Sequence, residues 1–249
     1  MKLGNQKLFK AKGIYFIADI HGDINKLKSL WEKIKKIIKP EEHLVFLGDY
    51  IGPNGNNLNT LLYLNNIKKE HANTFFIEGN HDYSLKSFLK SKTKKEFLDD
   101  EKIFRELEER GYSRGNRENL LQYINENKIS FLNETISYYE TEEILATHAP
   151  LDGDFLKTYP IYEGLLDEQE ISFGLLNDFV PPDEEDRKIK GIEKWLICGH
   201  QNNGFNNHDR KEPSIYEKSK RIFLDSGCGY REEAKLYCFH FPSKKIISS

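Results

Sequence analysis

The sequence predicts an α/β protein built on a parallel β-sheet. Three short apolar segments, at 14–18, 43–47 and 74–77, have the composition of buried strands, and two helical patterns lie between them. Strands that alternate with amphipathic helices form parallel sheets through right-handed crossovers. Each of these strands ends in residues that can bind a metal ion or transfer a proton, which predicts a functional site at the carboxyl edge of the sheet.

The two helical patterns are well marked. The first helix is predicted to begin after Asp23, whose carboxylate can cap it, and to stop before Pro40. The second lies between the second and third strands, after a turn-rich loop at 53–55. The apolar residues at helical spacing are Ile24, Leu27, Leu30, Trp31, Ile34, Ile37 and Ile38 in the first and Leu58, Leu61, Leu62 and Leu64 in the second.

The chain changes character after the third strand. Residues 83–127 are highly charged and helical in spacing, with breaks at Gly111 and Gly115, and we interpret them as a helical insertion beside the site. Residues 130–146 alternate around an acidic turn and predict a β-hairpin. Residues 151–190 lack sustained periodicity, which favours a cap or lid over the site. Two further strands, at 222–224 and 236–241, flank a glycine-rich loop.

Composition limits the class of protein. A length of 249 residues suits one domain, 1–249, with the insertion and the cap as parts of it. The net charge of −3 argues against general nucleic-acid binding, and no membrane association is expected because no long apolar run is present. The three cysteines lack CxxC spacing, which favours a reducing compartment. Without a signal-peptide pattern, the predicted location is the cytoplasm.

Five strand ends carry the candidate site residues. The blocks are DIHG (19–22), GDY (48–50), GNHD (79–82), THAP (147–150) and CGHQ (198–201). Their carboxylate, imidazole and amide groups suit divalent ions such as Mn²⁺, Fe²⁺ or Zn²⁺. The candidate metal ligands are Asp19, His21, Asp49, Asn80, His148 and His200.

These ligands can form a site for two metal ions. Two ions roughly 3.5–4 Å apart, bridged by a carboxylate, form the clamp used for in-line attack at phosphorus. Bridging favours a carboxylate at the middle of the site, and we expect Asp49, after the second strand, to bridge the ions. Asp19 and His21 are expected on one side of it, and Asn80, His148 and His200 on the other.

His81 is the candidate catalytic acid. It directly follows Asn80, and because neighbouring side chains diverge it cannot easily bind the same ion. It is better placed to protonate the leaving oxygen, and Asp82 is predicted to orient its ring.

The five blocks, in this order and spacing, resemble those of the calcineurin-like metallophosphoesterases. The resemblance is to the branch that contains serine/threonine protein phosphatases, phage-type phosphatases and symmetrical diadenosine tetraphosphatases, and it extends to the strand pair within 222–239. Residues 83–130 and 151–190 have no counterpart. The resemblance implies a four-layer αββα sandwich, a dinuclear metal centre with manganese as the first choice, and hydrolysis by metal-bound hydroxide.

The sequence departs from that branch where the branch orients its acid and binds phosphate. After GDY the branch carries an Asp and an Arg for these tasks, whereas Gly52 and Pro53 stand here. Glu78 replaces an arginine common in protein phosphatases, and Asn202 replaces the second histidine of many other members. The arginines that could supply a substitute clamp are Arg114, Arg117, Arg187 and Arg231.

The sequence therefore predicts a metal-dependent phosphatase. The first expectation is a phosphomonoesterase whose partner is a phosphorylated protein or small molecule. The missing Asp and Arg keep open the alternative of a dinucleoside polyphosphate hydrolase, a phosphodiesterase or a nuclease acting on nucleic-acid ends. A catalytically silent metal-binding scaffold is a third hypothesis, and the presence of all six candidate ligands and of His81 argues against it.

Overall fold

The computed structural model describes residues 8–93, 96–151, 187–188, 193–201 and 211–249. Within these ranges the strands are β1 (Ile14–Ile17), β2 (His43–Phe46), β3 (Thr74–Phe76), β4 (Tyr138–Glu140), β5 (Ile144–Thr147), β6 (Trp195–Cys198), β7 (Ser214–Tyr216), β8 (Arg221–Phe223), β9 (Tyr237–Phe241) and β10 (Lys245–Ser248). The helices are α1 (Ile24–Ile34), α2 (Asn57–Glu70), α3 (Asn80–Lys90), α4 (Asp100–Glu109) and α5 (Arg117–Glu126).

The strands form two five-stranded sheets. The first has the order β10-β9-β1-β2-β3, and the second has the order β4-β5-β6-β8-β7. β1, β2 and β3 are parallel, as are β5, β6 and β8. The predicted α/β fold with a parallel sheet in the first eighty residues is confirmed.

Alternating side chains of the first sheet pack into two hydrophobic cores, one on each face of the sheet. Phe16 and Val45 point toward the second sheet and pack in a cluster with Ala146 and Ile197. Ile17 and neighbouring residues point the other way and pack against the helices. This alternation follows from the two-residue period of a strand. Because each large side chain buried in this way contributes about 1.5–3 kcal/mol, the strand ends that carry the site are held firmly.

The predicted hairpin at 130–146 is only partly correct. Its second half is the antiparallel pair β4 and β5. Its first half is wrong, because Phe131–Asn133 form a short 3₁₀ helix and Ile136 makes an isolated parallel bridge to Ile77. The apolar residues there fit one face of a strand, but Phe131 and Leu132 are both buried in the core that packs against the helices.

The predicted helical character of 83–127 is confirmed, since this range contains most of α3 and all of α4 and α5. α4 ends before Gly111, whose φ of +89° suits a glycine after a helix terminus. The capping of α1 is also confirmed, because the Asp23 carboxylate accepts the Lys26 N–H at 3.1 Å. Most of the predicted cap, at 152–186 and 189–190, lies outside the described residues. Within the described ranges, no helix has the length and apolarity to cross a membrane.

Candidate metal centre

The strand ends of both sheets meet at one site. Asp19 and His21 follow β1, and Asp49 follows β2. Asn80 begins α3 directly after the third strand, and the two remaining histidines, His148 and His200, follow β5 and β6. Asp19, His21, Asp49 and His200 have φ between +46° and +58°. Such left-handed backbone is uncommon in non-glycine residues and clusters at functional sites.

Asp49 lies at the centre of the site. Its Oδ2 is 3.7 Å from His21 Nε2, and its Oδ1 is 3.5 Å from His148 Nε2. Two groups of potential metal ligands share it, one with His21 and His81 and the other with His148 and His200, each with its ligand atoms within 4.8 Å of one another. Asp49 is therefore the one carboxylate of these groups that can serve two ions.

The second group has the geometry of a metal site. His148 Nε2 lies 3.0 Å from Asn80 Oδ1 and 3.1 Å from His200 Nδ1, and the Asn80–His200 distance is also 3.1 Å. Ligand atoms that share one ion with bonds of about 2.0–2.2 Å are separated by about 3 Å. His148 Nδ1 donates to the Leu47 carbonyl at 2.7 Å, which leaves the Nε2 lone pair free to face the cluster. These residues fit a divalent cation.

The first group is fixed in a similar way. His21 Nδ1 donates to the Ile51 carbonyl at 3.2 Å, so Nε2 faces Asp49 and, at 3.9 Å, Asp19 Oδ1. Both Asp19 oxygens accept the His200 N–H at 3.0 Å. Asp19 therefore connects the end of β1 in the first sheet to the end of β6 in the second, and it can still offer an oxygen to an ion beside His21.

Burial keeps the candidate ligand histidines neutral. It lowers the pKa of His21 and of His200 to about 4 each, against the smaller opposing effect of Asp49. Burial also lowers the pKa of His148. Burial alone would raise the pKa of Asp49, but the surrounding imidazoles outweigh it and hold that pKa below its usual range. At neutral pH the site presents neutral imidazoles and an ionised carboxylate, the forms that bind metal ions.

His81 differs from the other histidines. Burial acts to lower its pKa, but Asp49 and a hydrogen bond to Asp99 outweigh burial and raise the pKa to about 9. Its Nδ1 donates to Asp99 Oδ2 at 2.7 Å. The ring lies on the side of His21, 5.1 Å between centroids, whereas Asn80 faces His148 and His200. At neutral pH both nitrogens of this ring are therefore protonated, and the ring is positively charged.

The predicted role of Asp82 is corrected by the structure. Its carboxylate accepts the N–H groups of Asp49 at 2.8 Å, Tyr50 at 3.1 Å and Gly79 at 3.0 Å. Both oxygens are thus engaged with backbone, and Asp82 fixes the loop that carries Asp49. The contact with the His81 ring belongs to Asp99. No motif marks Asp99 in the sequence, because it lies among the charged residues of the helical insertion.

Tyr230 is a second residue that the sequence analysis missed. Its hydroxyl lies 3.4 Å from His81 Nε2, and its ring packs edge-on against His21 with centroids 4.5 Å apart. The preceding Gly229, with φ of +79°, leaves no room for a side chain, since an added Cβ would lie 2.5 Å from His21 Cβ. Tyr230 is 46% exposed, so it forms an accessible wall of the site beside the acid.

The four candidate arginines differ in what they contact. Arg117 donates through Nε and Nη2 to the Leu89 carbonyl, at 3.0 and 2.6 Å, and thereby holds α5 to α3. Arg114 and Arg187 are exposed. Arg231 donates to a carbonyl within its own loop, directly after the tyrosine that touches His81. Arg231 is thus the candidate nearest in the chain to a site residue.

Comparison with known proteins agrees with this geometry. The family model described as calcineurin-like phosphoesterase matches residues 13–222. Among curated proteins, none matches at a significant level. Three similar solved structures share 14–16% identity with the chain, and at this level they establish the fold alone.

These three structures illustrate the likeness. A protein provisionally described as a diadenosine tetraphosphatase has 16% identity and a TM-score of 0.55, over 98% of this chain and 95% of its own. A serine/threonine phosphatase from Saccharomyces cerevisiae has 15% identity and a TM-score of 0.56, over 95% and 78%. A cold-active protein-tyrosine phosphatase from a Shewanella species has 14% identity and a TM-score of 0.56, over 97% and 81%.

The family match covers most of the chain and includes all five strand-end blocks. The same blocks supply the two ligand groups that share Asp49. The chain belongs to the calcineurin-like phosphoesterase family and is a metal-binding hydrolase that acts on phosphoester bonds.

Proposed function

We propose that the protein is a metal-dependent phosphatase that holds two divalent ions and hydrolyses phosphomonoesters. The observation that carries the proposal is the central carboxylate of Asp49, which lies between neutral His21 on one side and neutral His148 and His200 on the other, with a protonated His81 beside it. A site with metal ligands alone would not need the separate, protonated imidazole.

The donor set suggests how the ions would be held. Asp19, His21 and Asp49 would hold one, and Asp49, Asn80, His148 and His200 the other. When bound, two such ions would polarise the phosphoryl oxygens and lower the pKa of the attacking water. Mixed oxygen and imidazole donors suit Mn²⁺ first, with Fe²⁺ or Zn²⁺ as alternatives.

The protein's own residues would complete the reaction at the leaving group. His81 Nε2 faces the site, and we propose that it donates its proton to the leaving oxygen. Asp99 would keep the ring in the required orientation through Nδ1 and would stabilise its charged form. Tyr230, next to Nε2, would contact the leaving group.

One observation favours the alternative of a substrate with two substituents on phosphorus. Pro53 and Leu98, together with Arg105, line a cavity of about 310 Å³ that borders Asp99. Leu98 is 59% exposed there. A phosphodiester or dinucleoside polyphosphate could place its second arm in this cavity, which is lined by Asp99, the partner of the proposed acid.

A substrate panel separates the two readings. The metal-free protein is supplied with Mn²⁺, Fe²⁺ or Zn²⁺ and assayed with p-nitrophenyl phosphate, bis-p-nitrophenyl phosphate and diadenosine tetraphosphate. The monoesterase proposal expects the highest kcat/KM with the monoester. A preference for either disubstituted substrate that is lost in Arg105→Ala, but kept in the exposed control Arg114→Ala, would replace it with the alternative. If none of the three substrates is hydrolysed with both ions bound, the hypothesis of a catalytically silent metal-binding scaffold would be supported.

The cellular setting is part of the same proposal. Cys198, Cys228 and Cys238 are all buried, and three cysteines without CxxC spacing suit a reducing compartment such as the cytoplasm. We further propose that the partner is a phosphorylated protein or small molecule, with neither a membrane nor general nucleic-acid binding involved.

A further inference from the structure

Two buried carboxylates lie on the same face of α4: Asp99 at its N-cap and Glu106 within the helix. Asp99 directly precedes the helix, and Glu106 lies seven residues, or about two turns, further along. Asp99 is 3% exposed and Glu106 is 4% exposed, although most of the surrounding residues are charged and accessible. Because burying a carboxylate is costly unless it is hydrogen-bonded, both are expected to serve specific partners.

The partner of Glu106 is the beginning of α2. Its Oε1 accepts the Asn57 N–H and its Oε2 the Leu58 N–H, both at 2.8 Å. The first N–H groups of a helix have no partner within the helix. The N-cap residue Asn56 makes no side-chain cap, and the first turn of α2 has no acidic residue. Glu106 therefore caps α2 from another helix, with its charge at the positive end of the helix dipole.

The capped residue continues the connection toward the metal centre. Asn57 Oδ1 accepts the Gly52 N–H, and Asn57 Nδ2 donates to the Gly52 carbonyl, both at 2.9 Å. Gly52 packs directly on His21, because a Cβ added at position 52 would lie 2.6 Å from His21 Cβ. The neighbouring Ile51 carbonyl accepts His21 Nδ1 at 3.2 Å. Glu106 is thus connected to a metal ligand through Asn57 and the segment 51–52.

We propose that α4 is a positioning helix for the active site: Glu106 holds the metal ligand His21 through Asn57 and Gly52, and Asp99 holds His81. The first half of this proposal rests on the proposed role of His21 as a metal ligand, and the second half rests on the proposed role of His81 in catalysis. It also accounts for Gly52, since a side chain at that position would displace His21. The orienting carboxylate comes from the insertion because the loop next to His21 has no room for it.

Metal affinity tests the connection from Glu106 to His21. In Glu106→Gln the amide offers a single oxygen to two N–H groups, so one of them loses its partner. We expect the affinity of one metal site to fall by about 10–100-fold, as for other residues that orient a ligand. The other site should keep its affinity. The measurement is calorimetric titration of the metal-free protein with Mn²⁺, and the matched control is Glu109→Gln, an exposed residue of the same helix.

A second variant breaks the same connection at its middle. Asn57→Ser removes the two hydrogen bonds between the Asn57 side chain and the Gly52 backbone. It leaves in place the backbone N–H of residue 57, which donates to Glu106. The double variant should lose no more metal affinity than the single variant that binds metal more weakly, because both substitutions act through one path. Additive losses, or two unchanged affinities with only a lower unfolding temperature, would show that Glu106 stabilises the fold and does not position His21.

Leaving-group dependence tests the connection from Asp99 to His81. Asp99→Asn should leave both metal affinities unchanged and should slow an alkyl phosphate more than p-nitrophenyl phosphate, because only the alkoxide requires a proton. Adding Gly52→Asp should not restore the rate, and a restored rate would contradict the steric argument. Equal slowing of both esters would contradict the positioning role of Asp99. If no phosphoester is hydrolysed, the proposed function fails, while the titrations still decide the role of Glu106.

Discussion

Two opposing effects act on the ionisation of the Asp49 carboxyl. It is 2% exposed, which favours a neutral carboxyl, but four imidazoles nearby favour the charged form and prevail. The backbone N–H of His81, in the first turn of α3, also donates to Asp49 Oδ1 at 3.1 Å. In the metal-free site at neutral pH, the protonated His81 supplies a compensating positive charge that two cations would otherwise supply.

The first prediction concerns this bridging position. Asp49→Asn keeps the size of the side chain but removes the charge shared by both ligand groups. We expect the affinity for both ions to fall at least about 10-fold, whereas His200→Ala should affect chiefly one. Metal analysis after dialysis measures this. An Asp49→Asn protein that retains two tightly held ions would contradict the bridging role.

The second prediction concerns the acid. His81→Ala should leave the metal content unchanged and slow hydrolysis of an alkyl phosphate by ~10²–10⁴-fold, the usual size of general acid–base catalysis. A nitrophenyl ester should be slowed less, because its leaving group departs as the anion. Kinetics with both esters, alongside metal analysis, test this. Loss of an ion would make His81 a ligand, and equal slowing with both ions bound would make it a phosphate-binding group.

At the scale of elements, short turns after the strands bring the ligands close together. Gly199 sits between β6 and His200, where an added Cβ would lie 1.9 Å from Asp19 Oδ2. Gly79, before α3, would place a Cβ 2.2 Å from Asp49 Oδ1. Glycine is required at these turns because the backbone itself packs against the carboxylates of Asp19 and Asp49, two candidate metal ligands.

The third prediction tests this close approach. Gly199→Ala should displace Asp19 and lower metal affinity by about 10-fold or more, a loss of the size seen when ligand-orienting contacts are removed. The control is Gly111→Ala, where no atom lies within 4 Å of the added Cβ but φ is +89°. The control should cost about 1 kcal/mol of unfolding free energy and leave metal binding intact. Calorimetric titration and thermal unfolding separate the two effects, and unchanged metal affinity in Gly199→Ala would show that the turn can move.

At the scale of the whole molecule, the site depends on the packing of two sheets. The first sheet supplies Asp19, His21 and Asp49, and the second supplies His148 and His200. A core cluster that joins the inner faces of both sheets fixes their separation. Folding therefore assembles buried ionisable groups whose pKa values differ from those in the unfolded chain, and stability must depend on pH.

The fourth prediction follows from the signs of these shifts. The pKa of His81 is raised to about 9, so its contribution to stability is complete below pH 6.5 and is lost as the pH rises toward 9. This loss amounts to about 3 kcal/mol. The pKa values of His21 and His200 are lowered to about 4, so protonation destabilises the fold as the pH falls below 6.5. The combined contribution of these three histidines to the stability of the metal-free protein should therefore be greatest near pH 6.5.

Thermal unfolding of the metal-free protein between pH 4 and pH 10 measures this dependence. His81→Gln removes the titrating ring, so the decline on the alkaline side, between pH 6.5 and 9, should become shallower while the acid side is unchanged. An unfolding temperature that keeps rising up to pH 9 in the unsubstituted protein would contradict the raised pKa of His81.

The sequence by itself determined the parallel sheet and the helical character of residues 83–127, and it supplied the six candidate ligands. Each of these is encoded locally: alternation and apolar runs define β1 to β3, and the ligands directly follow strands. Once the strands pack in parallel, their ends must meet at one edge, so convergence follows from the order of the elements. The 3₁₀ helix at Phe131–Asn133 was missed because its apolar residues fit a strand pattern equally well.

Only the tertiary structure decided which groups support the site. Asp82 adjoins His81 in the chain, yet it faces the backbone of Asp49 and Tyr50. Asp99 supplies the contact to His81 from 18 residues away. Glu106 and Tyr230 likewise reach the site through packing, not through any local pattern. A hydrogen bond between distant segments depends on how helices and loops pack together, and no spacing in the sequence encodes that packing.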